Sequence, residues 1–134
     1  MTTDVDDRVL TFEEGIPGFP QLREFVLVEL GGEGLFRELR SVEEPDVAMI
    51  VCVPWSFFPG YAPELSDDEQ ADLGLERPED AVVFCPVTLD AANDRVYVNL
   101  LGPFVVNTAT RRGRQLVLTD SGYPVRAELE LDES

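Results

Sequence analysis

The apolar residues of this chain arrive in short, β-branched runs bounded by Gly, Pro and Asp, and no other feature limits the fold so strongly. Runs of this kind read as strands. They fall at Val9–Phe12, Glu24–Leu30, Leu35–Val42, Val47–Val53, Ala81–Leu89, Arg95–Leu101, Phe104–Asn107, Arg114–Thr119 and Val125–Leu131. Val47–Val53 is apolar at every position, which predicts a central strand covered on both sides. Ala81–Cys85 has the same character. In Leu35–Arg40 charged residues interrupt the apolar ones, so one side of that strand meets solvent. No run approaches the roughly 18 apolar residues of a membrane helix, so no membrane partner is expected.

Turn signals separate the runs. Gly31-Gly32-Glu33-Gly34 suits a hairpin reversal, and Asn93-Asp94 a polar turn. Arg112-Gly113 is a further hairpin candidate, with Gly113 able to take positive φ. Gly102-Pro103 interrupts a long run, as a bulge, corner or edge, because proline donates nothing to a ladder. One segment reads as helix. Ser66-Asp67-Asp68-Glu69 has the capping-box pattern, the acids sit where the helix dipole favours them, and Leu73 or Gly74 ends it. Many short strands with one or two short helices predict a mainly β, antiparallel barrel-like or sandwich fold. The length of 134 residues fits one domain, 1–134, with one core.

Composition then restricts the chemistry. The chain has no histidine, all ten bases are arginine, and the net charge is −17. That excludes His-based triads, imidazole metal ligands, Schiff-base lysines and P-loop lysines. A chain this acidic is not expected to bind nucleic acid directly. Adjacent carboxylates such as Glu13-Glu14, Glu43-Glu44, Asp67-Asp68 and Glu79-Asp80 diverge on extended backbone and read as solvated surface, not as a catalytic pair. Asp67-Asp68-Glu69 and Asp90–Asp94 both miss calcium-loop spacing. No catalytic residue, cofactor or metal is therefore assigned. Cys52 and Cys85 lie in apolar runs and, beside an acidic N-terminus unlike a signal peptide, read as reduced thiols of a cytoplasmic protein. A disulfide between them is the alternative.

The acidity is localised. Residues 46–94 hold 11 acids and one base, whereas residues 95–134 hold 5 of each. The densest part is Glu64–Asp80, with eight acids and one base. It implies an acidic face, with general solubility as the rival explanation. Just before it stands Trp55-Ser56-Phe57-Phe58-Pro59-Gly60-Tyr61. Its aromatic residues cannot all point inward from one loop, so some lie at the surface and suit a partner; alternatively Trp55 and Phe58 plug a barrel end. Apolar anchors beside a charged rim make a protein-binding surface. The candidate partner-binding residues are Phe57, Phe58, Tyr61, Glu64, Asp67, Asp68, Glu69 and Asp72. Arg111, Arg112 and Arg114 form the one positive cluster, free to pair with the acidic face or with an acidic partner.

Three blocks resemble a known family. Gly15-Ile16-Pro17-Gly18-Phe19-Pro20 after Leu10-Thr11-Phe12 is similar to the N-terminal signature of the FliW flagellar assembly factors. Pro45–Val51 running into Pro54, Phe57, Phe58, Pro59 and Tyr61 resembles the second block. Asn99–Asn107, followed by Gly113 and Gln115–Leu118, resembles the third, and Tyr123-Pro124-Val125-Arg126 also fits. Gly102 departs from the alanine common there. Within the first block, the glycines and prolines fix a tight loop, with Phe19 expected to pack as its anchor.

The resemblance, which covers about residues 8–130, implies a small antiparallel β-barrel-like domain without catalysis. It implies two partners, flagellin and the RNA-binding translational regulator CsrA. FliW antagonises CsrA noncompetitively and so relieves repression of flagellin mRNA; new flagellin captures FliW, and secretion releases it. The rival readings are a flagellin-binding chaperone without the CsrA arm, and a small-ligand-binding barrel or carboxylate enzyme. A monomer is expected, since the charge opposes self-association.

Overall fold

The computed structural model describes residues 9–16, 18–30, 35–119 and 121–129. The apolar runs form β1 (Leu10–Phe12), β2 (Glu24–Leu30), β3 (Phe36–Ser41), β4 (Ala48–Cys52), β5 (Ala81–Asp90), β6 (Arg95–Val98), β7 (Phe104–Asn107), β8 (Arg112–Gln115) and β9 (Ala127–Leu129). One helix, α1 (Asp67–Leu73), and 3-10 turns at Pro54–Ser56 and Pro78–Asp80 lie between β4 and β5. The Gly31–Gly34 reversal lies outside the described residues.

Seven strands close a ring in the order β4-β3-β2-β1-β8-β7-β5, with β5 returning to β4. The long strand β5 belongs to two sheets. Its first part pairs with β7 from Ala81 to Phe84, and its last part pairs with β6 from Val87 to Asp90. Strand β9 then adds to β6, so a three-stranded extension grows out of the barrel wall. The ring departs from the expected antiparallel pattern at one junction: β1 runs parallel to β8. A parallel pair needs a long crossover, and nearly the whole chain supplies it here.

Two apolar clusters follow from strand alternation. Leu10, Phe12, Phe25, Leu39, Val51, Phe84, Phe104 and Val106 fill the barrel interior. The outward side chains Cys52, Val83, Cys85 and Val105 build a second cluster with Val87 and Val98 of the extension. Tyr61, Leu73, Leu100, Leu116, Leu118 and Leu129 cover it. The expectation that β4 and the start of β5 are covered on both faces is met at Val51, Cys52, Phe84 and Cys85, each at most 4% exposed. At its other end β4 opens to solvent through exposed Ala48.

Local chemistry explains where the elements stop. Strand β6 ends three residues earlier than its apolar run, because the Asn99 side-chain oxygen accepts the N–H groups of Leu101 and Gly102. The Gly102-Pro103 corner follows. The β7–β8 turn closes at Arg111, not at Gly113: Arg111 takes φ +62° and its N–H donates to Asn107 O. Strand β8 therefore starts at Arg112, and beyond Gln115 the chain pairs irregularly with the corner through Leu116 N–H to Pro103 O and Leu118 N–H to Leu101 O. Gly113 serves a different end from positive φ. A Cβ there would lie 2.9 Å from Val106 Cγ2 and 3.1 Å from the Phe12 ring.

The loop after β1 also differs from expectation. Its buried anchors are Ile16 and Leu22, whereas Phe19 is 37% exposed. Backbone fixes it instead, with Gly15 N–H on Phe12 O, Phe19 N–H on Ile16 O and Leu22 N–H on Phe19 O. Gly15 has φ +73°, and a Cβ there would meet Phe19 O and Pro20 Cα at 2.5 Å. Gly18 has φ +86° but open space around it. Both pay the left-handed cost in an alanine variant; only Gly15 adds a backbone clash. Urea unfolding should show Gly15→Ala destabilised by several kcal/mol and Gly18→Ala by only about 1–2 kcal/mol.

Candidate partner-binding surface

The aromatic loop is a scaffolded structure. A 3-10 turn begins at Pro54, whose carbonyl accepts the N–H groups of Phe57 (3.0 Å) and Phe58 (2.7 Å). Tyr61 is 4% exposed and sits at the centre. Its hydroxyl donates to Leu100 O at 2.7 Å, its carbonyl accepts the Trp55 indole N–H at 2.7 Å, and its ring meets Tyr123 edge-on at 4.8 Å. The Tyr123 hydroxyl in turn accepts Ala62 N–H. Phe57 packs on Phe36 at 5.5 Å. Phe57 and Phe58 are half-buried against the outer cluster.

Tyr61 is thus a support inside the loop, and its ring does not face outward as the sequence led us to expect. The exposed aromatic is Trp55, at 41%. It does not plug the barrel, because its N–H is satisfied by the Tyr61 carbonyl and its ring leans over Tyr61 at 6.0 Å.

The acidic stretch carries α1. Ser66 Oγ accepts Glu69 N–H, and the Glu69 carboxylate accepts Ser66 N–H, so the capping box is complete. Gly74 closes the helix in the left-handed conformation. The helix is tied down at one buried polar residue that the sequence did not mark. Asn107, 2% exposed at the end of β7, donates from Nδ2 to Leu73 O (2.8 Å) and Gly74 O (3.2 Å). Its Oδ1 accepts Ala109 N–H at 2.8 Å. One amide therefore satisfies both the helix end and the β7–β8 turn. The only sequence signal was a polar residue closing an apolar run.

The arginine alternatives separate clearly. Arg114 pairs with Asp72 at 2.9 Å and Glu14 at 3.7 Å; Arg112 lies 3.3 Å from Glu13 and donates to Asp72 O. These groups line an open, polar pocket of about 210 Å³ against Leu73 and Gly113. Asp72 is therefore paired with arginine at the surface. Glu64, Asp67 and Asp68 are exposed and enter none of the ion pairs among the described residues, while Glu69 is spent on the cap. What remains outward is a short acidic helix start, and, on the preceding loop, Trp55 with the partly exposed Phe57 and Phe58.

Displaced pKa values lie beneath this surface. Burial pushes the Cys52 and Cys85 thiols up from 9.0 to about 12, and burial with the neighbouring Cys85 raises Tyr61. No group of three or more His, Cys, Asp or Glu side chains has metal-binding geometry among the described residues. No helix among them is long and apolar enough to cross a membrane.

A closed barrel with a loop-and-helix cover on one wall is an architecture already seen in a solved structure. The crystal structure of the flagellar assembly factor FliW superimposes with a TM-score of 0.87 at 30% identity, covering 98% of this chain and 92% of that one. The class is therefore that of the flagellar assembly factor barrels. The FliW protein family matches residues 1–129, and the chain belongs to it. Relatives named flagellar assembly factor FliW include those of Clostridium beijerinckii and Symbiobacterium thermophilum, each 34% identical over 124 residues; these alignments cover 92% of this chain and 88% and 90% of the relatives. The relative from Moorella thermoacetica is 37% identical over 122 residues, 90% of this chain and 77% of its own length.

Two outcomes follow. Asn107→Ala strands the Leu73 and Gly74 carbonyls, so urea unfolding should register a loss of about 1–3 kcal/mol, with the α1 amides exchanging first. The buried thiols stay protonated in the fold while unfolded thiols ionise from 9.0 upward. Stability is then fully present below that value and falls as pH rises toward about 12. Urea midpoints measured across that range should decline, and less steeply in a Cys52→Ala, Cys85→Ala double variant.

Proposed function

We propose that this protein is a cytoplasmic flagellar assembly factor that works by binding and not by catalysis, with flagellin and a CsrA-type RNA-binding translational regulator as its partners. The observations that support this reading are the exposed acids at the start of α1, which enter no ion pair among the described residues, and the exposed Trp55 on a braced loop. Apolar anchors bordered by charge hold a protein partner and steer its approach. An RNA-binding regulator presents cationic surfaces. A docked protein of charge −17 sets a repulsive field beside them and weakens RNA binding without covering the RNA site. At physiological salt that field reaches about 8 Å, so charges near the RNA path matter most. Flagellin, in this reading, competes for the protein and so returns the regulator to its mRNA.

The interior argues against a ligand-binding barrel. Phe12, Phe25, Phe104, Leu39 and Val51 fill it with fully buried side chains.

The regulator arm is tested with Asp67→Asn, Asp68→Asn and Glu69→Gln together; glutamine keeps the capping box. Regulator affinity at low salt should fall on the order of tenfold and its salt dependence should flatten. Unchanged affinity at low salt removes the acidic face from the interface. Trp55→Ala should weaken capture of flagellin or of the regulator while the melting temperature holds. Recovery of flagellin without a co-expressed CsrA-type protein would favour the chaperone reading.

A further inference from the structure

The ring closes between β4 and β5 through two register pairs only, Val51 with Pro86 and Cys52 with Cys85. By comparison, β2 and β3 share six, and β1 shares two with each of its neighbours β2 and β8. The two cysteines are free and buried, at 1% and 0% exposure, and both belong to the outer cluster. Val53 N–H donates across to Leu35 O, and Asn99 N–H donates to Pro86 O. Backbone groups alternate sides along a strand, so Cys52 and Cys85 turn theirs toward each other across the seam. Such a pair sets its Cα atoms about 5.5 Å apart, inside the range that disulfides span.

We propose that Cys52 and Cys85 are a modification site: a reversible cross-strand disulfide that locks the barrel at its β4–β5 seam. The oxidant is a low-molecular-weight disulfide. One cysteine thiolate attacks it, forms a mixed disulfide and releases one small thiol. The second cysteine then displaces the other small thiol and forms the Cys52–Cys85 bond. Two protein thiol hydrogens and two electrons leave on the two small thiols, so the exchange balances.

The closed seam resists this reaction. The thiols are shielded, and burial keeps them protonated. Reaction therefore runs through local opening of a junction held by few pairs. Cβ atoms of a hydrogen-bonded pair stand farther apart than a relaxed disulfide allows, so the bond forms under strain and yields readily to a dithiol. Closure also changes the aromatic loop. Cys52 lies two residues before Pro54, and the Cys85 thiol donates to the Tyr61 hydroxyl at 3.9 Å. Oxidation removes that donor at the residue that braces Trp55. The lock itself requires no particular partner.

The reduced wild-type protein, exposed to oxidised glutathione in native buffer, provides the test. Intact mass and peptide mapping should show a monomer that has lost two hydrogens and carries a single Cys52–Cys85 link. The link should form on the order of tenfold faster than global opening, measured by hydrogen exchange at Phe12 and Phe25. A dithiol should restore both thiols. Formation only at the global unfolding rate, arrest at a mixed disulfide, linkage between molecules, or no reaction would each overturn the proposal. In Cys52→Ala the remaining thiol should be capped and never bridged; bridging to any other group overturns it as well.

Discussion

The barrel is organised around the ring of Phe12. Phe25 and Phe104 each meet it edge-on at 5.6 Å, so one residue of the shortest strands joins three parts of the wall. Such pairs contribute about 0.5–1.5 kcal/mol beyond their burial. The packing works only because β8 offers no side chain at Gly113, where Phe12 and Val106 occupy the space. The parallel junction between β1 and β8 brings these two residues into register. Strand direction, glycine and aromatic packing are therefore one constraint, and the remaining strands complete a ring whose filling is already set.

The outer wall repeats this logic with polar groups. The residues that cover β4, β5 and β7 are held by Tyr61 on Leu100 and by Asn107 on the end of α1. Both are buried side chains with fully used polar atoms, and both join distant segments. Exposed ion pairs such as Arg95–Glu128 and Arg114–Asp72 contribute little by comparison. The arginines instead divide the acidity. Glu13, Glu14 and Asp72 are drawn into surface ion pairs, while Asp67 and Asp68 enter none among the described residues.

Elements with local causes were legible in the sequence. The Ser66–Glu69 capping box, the helix end at Leu73-Gly74 and the strands Glu24–Leu30 and Phe104–Asn107 match the residues that form them. Elements with distant causes were not. Gly113 looked like a turn glycine because nothing nearby reveals Phe12 above it. The parallel pairing of β1 leaves no mark on β1 itself. Tyr61 and Trp55 have similar character as letters; only the Leu100 carbonyl decides that Tyr61 goes inward. The family resemblance reached the right class because it rests on several distant blocks of the chain at once, with Phe12 in one and Gly113 in another. For the candidate surface, the sequence marked an acidic stretch and an aromatic loop, while the division between bracing and exposed aromatics needed three dimensions.

The parallel junction also bears on how the protein is made. Thr11 pairs with Arg112, and Phe12 with Gly113. On the ribosome, the first strand emerges early and must wait about a hundred residues for its partner. Throughout that interval Leu10 and Phe12 have no completed wall to enter. Contacts of such long sequence separation slow folding, so closure of the ring is a late step. The net negative charge of the segments made before β8 then has an earlier use than recognition: it keeps an unclosed barrel apart from its neighbours until β8 arrives.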